Sequence, residues 1–298
     1  MIDISIVIVN YNTKKFLSET LASLEHEVSK KISFEVVVVD NASSDESAEM
    51  VKKEFPDVTL VASRKNVGFA GGNNLGIKKT NESRYVLFLN PDTVIKQGVL
   101  EYMTTFMDAH KDAGAATCKL VMANGKIDDA THRGFPTPWN SFTHFSGLSK
   151  LFPHAKLFSG YSLGYKDLNT VHEIDALAGA FMIVRREAGE KIGWWDEDYF
   201  FYGEDIEFCF RLKENGWKIY YVPDVEIFHH KGVTAGIRKE SKDVTTATKE
   251  RKLFATKHRF KAMKIFYDKH YKNKYPFFVN WMVGGGISLK QWLTLRSI

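Results

Sequence analysis

Two short runs constrain this chain more than any other feature. Ile4–Val9 reads ISIVIV and Phe34–Val39 reads FEVVVV. Both are rich in β-branched residues, and neither shows a sustained alternation with polar ones. A strand wetted on one face alternates, whereas one buried on both faces does not. These runs therefore read as interior strands of a parallel sheet. Parallel neighbours need a crossover between them. Phe16, Leu17, Thr20, Leu21 and Leu24 fall at helical spacing between the two runs and supply it. A second helix is expected over residues 44–55, with Ser44 and Asp45 as N-cap candidates. Strands at Val58–Ala62 and Tyr85–Leu89 follow. The alternation predicts an α/β fold with a doubly wound sheet, whose ligands bind beyond the carboxyl ends of the strands.

Polar residues gather at those ends. Asn10-Tyr11-Asn12 follows the first strand, Asp40-Asn41 the second, and Asn90-Pro91-Asp92 the fourth. Between them lies NVGFAGGNNLG, residues 66–76, which contains Asn66, Gly68, Asn73 and Asn74. Any one of these would pass as a helix cap or a turn. Together they line one sheet edge with polar groups, as a nucleotide site requires. The glycine-rich stretch is neither a Walker loop nor a dinucleotide fingerprint. Its backbone N–H groups and Asn amides, set before a helix, suit a diphosphate. Asp92 is a candidate ligand for Mg²⁺ or Mn²⁺, or else part of a Pro-Asp turn.

Past Gly114 the pattern loosens. Residues 122–172 are rich in Gly, Pro, His, Ser and aromatics without a clear period, as expected of an irregular insertion that recognises an acceptor. Order returns at Ala180–Val184, in a helix over Glu204–Asn215 with Gly216 near its C-cap, and at Lys218–Val222. Glu204, Asp205 and Glu207 crowd the start of that helix, where they would also suit its dipole. Trp194, Trp195, Tyr199, Phe200, Phe201 and Tyr202 precede them. An aromatic wall can raise a carboxylate pKa toward base duty and stack on a sugar ring. Arg211 is placed to pair with a carboxylate or a diphosphate. His229 and His230 end a strand and are candidate metal ligands beside Asp92.

These segments, taken in order, resemble inverting glycosyltransferases of family 2 with the GT-A fold, and within them the rhamnosyltransferase-like branch. The resemblance rests on SIVIVNYN, VVVVDNASSD, NVGFAGGNNLGI, YVLFLNPDT, the stretch from DALAGAF to YYVP, and IFHHKG, across residues 3–232. It implies a GT-A, Rossmann-like doubly wound mixed sheet over residues 1–235, with a donor half (1–115) and an acceptor half (116–235). Asp40 would bind a pyrimidine base, with Asn10, Tyr11, Asn12 and Asn41 around it. Asn66, Gly68, Asn73 and Asn74 would approach the diphosphate. Asp92 occupies the place of the family's DxD metal motif, with His229 or His230 completing the shell. Asn90 stands where that motif has its first carboxylate, which weakens the expected metal dependence. Glu204-Asp205 matches the family's ED pair, with Asp205 as general base, and Trp194, Trp195, Tyr202 and Arg211 are expected near the sugar or acceptor. The branch implies a dTDP-linked deoxysugar donor, with a UDP-sugar as the alternative, and a glycan or polyprenyl-diphosphate-linked acceptor. The competing readings are a catalytically inactive nucleotide-sugar-binding subunit, a UDP-hexose transferase and a sugar nucleotidyltransferase. The last would need Arg and Lys in a glycine-rich signature after the first strand, which VNYNTKKFL lacks.

Charge marks off the C-terminus. Residues 236–298 carry 15 Lys/Arg against 4 Asp/Glu, while the rest of the chain carries 26 against 32. A mildly acidic body thus bears a basic helical appendage. In residues 249–274 a helical stripe runs through Leu253, Phe254, Phe260, Met263, Phe266, Tyr267 and Tyr271. After Pro276 comes an apolar stretch interrupted by three glycines, too short to span a bilayer. The tail is expected either to lie on an anionic membrane surface or to pack on the domain or a second subunit of a homodimer. No nucleic-acid reader motif is present. With Cys118 and Cys209 isolated and no basic n-region at the start, a cytoplasmic protein is expected, peripheral at the inner face of the membrane if the tail binds lipid.

Overall fold

The first strand, β1 (Ile2–Asn10), pairs in parallel with β2 (Phe34–Asp40) on one side and β4 (Ser83–Leu89) on the other. Its side chains divide between two cores, which explains the unbroken apolar runs. Ile4, Ile6 and Ile8 face one cluster and Val7 the other; on β4, Tyr85, Leu87 and Leu89 oppose Val86 and Phe88. The computed structural model describes residues 2–27, 31–231 and 248–296. Its other strands are β3 (Thr59–Ala62), β5 (Thr93–Val94), β6 (Ala113–Met122), β7 (His172–Ile174), β8 (Phe181–Arg185) and β9 (Lys218–His229). The helices are α1 (Lys14–Glu25), α2 (Ser47–Glu54), α3 (Gly68–Ile77), α4 (Val99–Ala109), α5 (Pro138–Ser146), α6 (Leu148–Leu151), α7 (Arg186–Ile192), α8 (Glu204–Glu214), α9 (Lys249–His270) and α10 (Phe277–Arg296).

The sheet runs β3-β2-β1-β4-β8-β6-β9-β5, with β7 paired to β9. It is mixed: β3, β2, β1 and β4 are parallel, and β8 runs antiparallel to both β4 and β6. α1, α2 and α4 cover one face, through Leu17, Met50 and Leu100. α3, α7 and α8 cover the other, through Ala70, Ala188 and Phe208. This is the doubly wound mixed architecture expected of the chain.

Three local expectations change. The helix expected from Ser44 begins at Ser47, because Asp45 is used in a turn. Its carboxylate accepts from Lys14 N (2.8 Å) and Ser47 N (3.2 Å), tying α1 to α2. The last long strand continues past Val222 to His229, absorbing a register shift opposite Cys118/Lys119. The three glycines after Pro276 do not interrupt α10, which runs through Gly284, Gly285 and Gly286. Gly232 and residues 236–247 of the basic region lie outside the described residues.

The glycine-rich stretch is itself a helix. Its glycines let α3 approach β1 closely: a Cβ on Gly72 would lie 2.7 Å from Val9 Cγ1. Helix propensity alone would make Gly72→Ala stabilising by about 1 kcal/mol. The contact predicts the opposite sign, a loss on the order of 1–3 kcal/mol from overpacking. Urea denaturation of the variant would measure it, and a gain in stability would show that α3 has room to move off β1.

Candidate active site

The strand pairings set the site. Asn10 pairs with Asp40, so β1 and β2 finish level, and Ile8 pairs with Leu89, so β4 ends just short of them on the same sheet edge. A cavity of about 1840 Å³ opens beyond them. Tyr11, Asn12, Asn41, Asn66, Gly68, Asn90 and Asp92 line its sheet-edge side. Tyr202, Glu204, Asp205 and His229 line it from the other half of the chain.

Several of the residues expected to meet a nucleotide instead build the rim. Asn10 is fully buried; its Nδ2 donates to Asp40 Oδ1 and Ser43 Oγ, both at 3.1 Å, and its Oδ1 accepts from Thr13. Asp40 Oδ2 accepts from Ser43 N at 3.0 Å. Asn10 and Asp40 thus brace the turn after β2 and do not line the cavity. Asn73 bonds Phe69 O, and Asn74 exchanges bonds with the Trp195 backbone, so both amides of α3 face protein. Asn41 ties the start of α3 through Val67 N, Gly68 O and Asn66 while keeping an edge on the cavity. Tyr11 presents its ring there, with the Arg251 guanidinium of α9 4.7 Å from its centroid.

β5 carries the next group into place. Thr93 pairs with His229, which puts Asp92 Oδ1 3.4 Å from His229 Nε2. The other ring nitrogen lies 3.1 Å from Asp128 Oδ2. Burial alone would lower the imidazole pKa; Asp92 and Asp128 override it and push it up to about 9. Lys231 pairs with Asp128 and with Asp129 (2.8 Å). His230 points away, 3.3 Å from Glu19 and against the rings of Phe16 and Phe228. Asp92 Oδ1 and His229 Nε2 are close enough to share one divalent cation, and Asp128 fixes the ring for it, as second-sphere carboxylates do. Among the described residues no group of three His, Cys, Asp or Glu side chains could hold a metal, so the remaining ligands of such an ion would come from water and diphosphate.

At the start of α8, Asp205 Oδ2 accepts from Arg133 Nη2 at 2.6 Å. Arg133 also donates to Leu177 O (2.9 Å) and is fixed by backbone bonds to Ala176. Asp205 Oδ1 accepts from Ile206 N at 2.8 Å. Among the described residues Glu204 Oε2 is buried without a hydrogen-bond partner. Burial and the neighbouring Asp205 push the Glu204 carboxyl up to about 8. Of the expected aromatic wall, Phe200, Phe201 and Tyr202 line the cavity. Trp195 and Tyr199 are buried in the cores behind it. Trp194 and Arg211 do not line the cavity either. Arg211 is a strut, donating to Glu207 (2.7 Å) and to the carbonyls of Ile192 and Trp194. Asp128, Arg133 and Lys231 escaped sequence reasoning; two of them lie in the aperiodic insertion.

The tail also reaches the site. Phe266 and Tyr267 of α9 and Tyr271 just after it share a core with Tyr199 and Phe210, and Phe260 is also buried, so most of the expected stripe packs against protein. Phe254 instead faces the cavity, its ring 5.8 Å from Phe200. Cys118 and Cys209 are buried and free.

Comparison with known proteins agrees with this architecture. Residues 5–168 match the sequence model described as Glycosyl transferase family 2. The N-acetylglucosaminyl-diphospho-decaprenol L-rhamnosyltransferase of Mycobacterium tuberculosis is 25% identical over 98% of this chain and 92% of its own length. Rhamnosyltransferase WbbL of Escherichia coli is 25% identical over 76% of this chain and 82% of its own. Among solved structures, GalNAc-T7 with UDP, GalNAc and Mn²⁺ superposes with a TM-score of 0.61 at 14% identity, over 89% of this chain and 48% of that one. This last likeness is one of fold.

The Glu204 carboxyl generates a stability test. Its folded pKa lies above the unfolded value, so the native state prefers it neutral. Stability from this preference is complete below the unfolded carboxylate pKa, about 4.3, and is lost as pH rises toward 8. Glu204→Gln removes the titration. Thermal melts of variant and wild type should agree near pH 5 and diverge by several degrees near pH 8, with the variant higher. Parallel pH profiles would mean that Glu204 ionises freely in solvent.

Proposed function

The chain belongs to glycosyl transferase family 2, and from that premise we propose that it moves a rhamnosyl or related deoxyhexosyl unit from a nucleoside-diphosphate donor to a glycan carried on a polyprenyl diphosphate. The dTDP-linked donor is the primary reading and a UDP-sugar the alternative. The observation that carries this reading is one cavity with the Glu204-Asp205 pair on one side and the Asp92–His229 pair on the other. A base and a place for leaving-group charge are what an inverting transfer needs. An inactive binding subunit would need neither. Near full-length similarity to the mycobacterial L-rhamnosyltransferase supports the choice of sugar and of lipid-linked acceptor.

In this reading Asp205 takes the acceptor hydroxyl proton while that oxygen attacks the anomeric carbon from the face opposite the diphosphate. The new C–O bond forms as the bond to the diphosphate breaks, and the configuration inverts. Arg133 donates to Oδ2 and Ile206 N to Oδ1, and the two bonds hold the carboxylate in place for proton transfer. Burial holds Glu204 neutral, so it does not compete for the acceptor proton. Asp92 and His229 would hold a Mg²⁺ or Mn²⁺, with Asp128 orienting the imidazole. Such an ion supplies charge neutralisation for the departing diphosphate. Tyr11, Asn12 and Asn41 are assigned to the base and ribose, and Asn66 and Gly68 to the diphosphate side. Among the described residues no helix is long and apolar enough to cross a membrane. α10 buries none of its residues and leaves Phe277 85% and Trp281 79% exposed. We assign it to the membrane surface, where the acceptor resides.

A panel of nucleotide sugars, scored by nucleoside diphosphate release, tests the donor; dTDP-rhamnose is expected to lead. With the best donor, Asp205→Asn should lose on the order of 10²–10⁴-fold in turnover with donor affinity unchanged. Near wild-type turnover would move the base role to Glu204. EDTA should suppress activity, added Mn²⁺ or Mg²⁺ should restore it, and Asp92→Ala should reproduce the loss. Full activity in EDTA would leave the diphosphate charge to Lys231, Arg133 and backbone amides.

A further inference from the structure

The aromatic segment of the insertion, residues 138–157, has an unexplained surface. Leu151 is 73% exposed, Leu157 63% and Phe142 55%, with Trp139, Phe145 and Phe152 also exposed. Such a patch on a water-facing monomer calls for a partner. The side chains are held ready: Trp139 Nε1 donates to Leu157 O at 2.8 Å, and Phe152 packs on Phe158 with ring centroids 5.2 Å apart. The patch is also adjacent to α10. Lys290 Nζ lies 5.7 Å from the Phe145 ring centroid. Trp139, Phe142 and Phe145 and, from α10, Met282, Ile287 and Leu293 line the same active-site cavity.

Charge identifies what covers these two walls. Residues 134–166 contain no Asp or Glu but carry Lys150, Lys156 and Lys166. Residues 269–298 contain none either; Lys290 and Arg296 lie on α10, while Lys269, Lys272 and Lys274 pair with Asp196 and Asp198, with Asp268 and with Glu214. The whole chain has 36 acidic residues in 298, so two acid-free stretches of this length on the same rim are not background. A second copy of the chain would present the same cations and be repelled. Aromatic side chains at a lysine-flanked rim suit an anionic bilayer, with rings at headgroup depth and ammonium groups on phosphate.

We propose that α5–α6 and the loop to Leu157 form a second membrane-contacting limb beside α10, so that the active-site cavity both segments line opens into the lipid headgroup layer. This rests on the assignment of α10 to the membrane surface, and it adds a second contact that the tail alone does not provide. A lipid-linked acceptor could then enter the cavity without leaving the bilayer.

Tryptophan quenching by acyl-brominated phosphatidylcholine in anionic vesicles tests it on the full chain. In a Trp281→Phe/Trp292→Phe background, Trp139 remains as an exposed indole, and vesicle binding should quench fluorescence in a way that a further Trp139→Phe change abolishes. Separately, Phe142→Glu/Phe145→Glu should weaken vesicle sedimentation by about tenfold or more, since it removes apolar insertion and adds repulsion. Its circular dichroism should be unchanged. If wild-type fluorescence is quenched through Trp281 and Trp292 while Trp139 is not, the second limb is wrong and α10 alone binds. No vesicle binding by the full chain even at low salt would overturn both. If the double variant binds vesicles normally but converts a dimer to a monomer in light scattering, the face belongs to a second copy.

Discussion

Parallel strands that are buried on both faces place their site chemistry at their ends, and here the pairing of Asn10 with Asp40 and of Ile8 with Leu89 gathers those ends at one sheet edge. Much of the site follows from that register. A one-residue slip of β2 would separate Asp40 from Asn10 and undo the brace that shapes the Tyr11–Asn12 rim. A slip of β4 would carry Asn90 and Asp92 out of line with it, because a strand shifted by one residue turns every side chain to the other face. The close approach of α3 to β1 through Gly72 adds depth to the same edge.

Charge is then distributed so that few carboxylates at the cavity stand alone. Asp205 has Arg133, Asp128 has Lys231 and His229, and Asp92 has His229. Each partner is distant in sequence, and the Asp92–His229 contact ties the turn before β5 to the end of β9. Glu204 is the exception, and burial answers it by keeping the group neutral. Without that, two adjacent anions would share a poorly solvated wall, at a cost far larger than a surface pair.

The strands and the polar tips were legible because double-sided burial writes itself into sequence as unbroken β-branched runs. The role of individual polar residues was less so. Asn73, Asn74, Trp195 and Arg211 carry the right chemistry but spend it on backbone and core, since groups at a close helix–sheet contact must be satisfied locally. Asp128 and Arg133 sit in a stretch without periodicity, and only the fold brings them to His229 and Asp205. The choice between His229 and His230 did have a sequence signal. Adjacent residues of a strand face opposite sides, so only one of the two could meet Asp92.

The C-terminal helices show how one composition serves two ends. Both are aromatic and basic, but α9 puts Phe266 and Tyr267 into a core shared with Phe210 of α8, whereas α10 touches that core through Val283 and leaves Phe277, Trp281 and Leu289 exposed. α9 is therefore a wall of the site: it sets Arg251 over Tyr11 and Phe254 against Phe200. The family-matched segment ends at residue 168, yet Glu204, Asp205, His229 and Arg251 all lie beyond it. The matched part supplies the sheet edge of the cavity, and the chain after it supplies the candidate base, the imidazole and Arg251. The residues that line the cleft accordingly come from both parts of the chain.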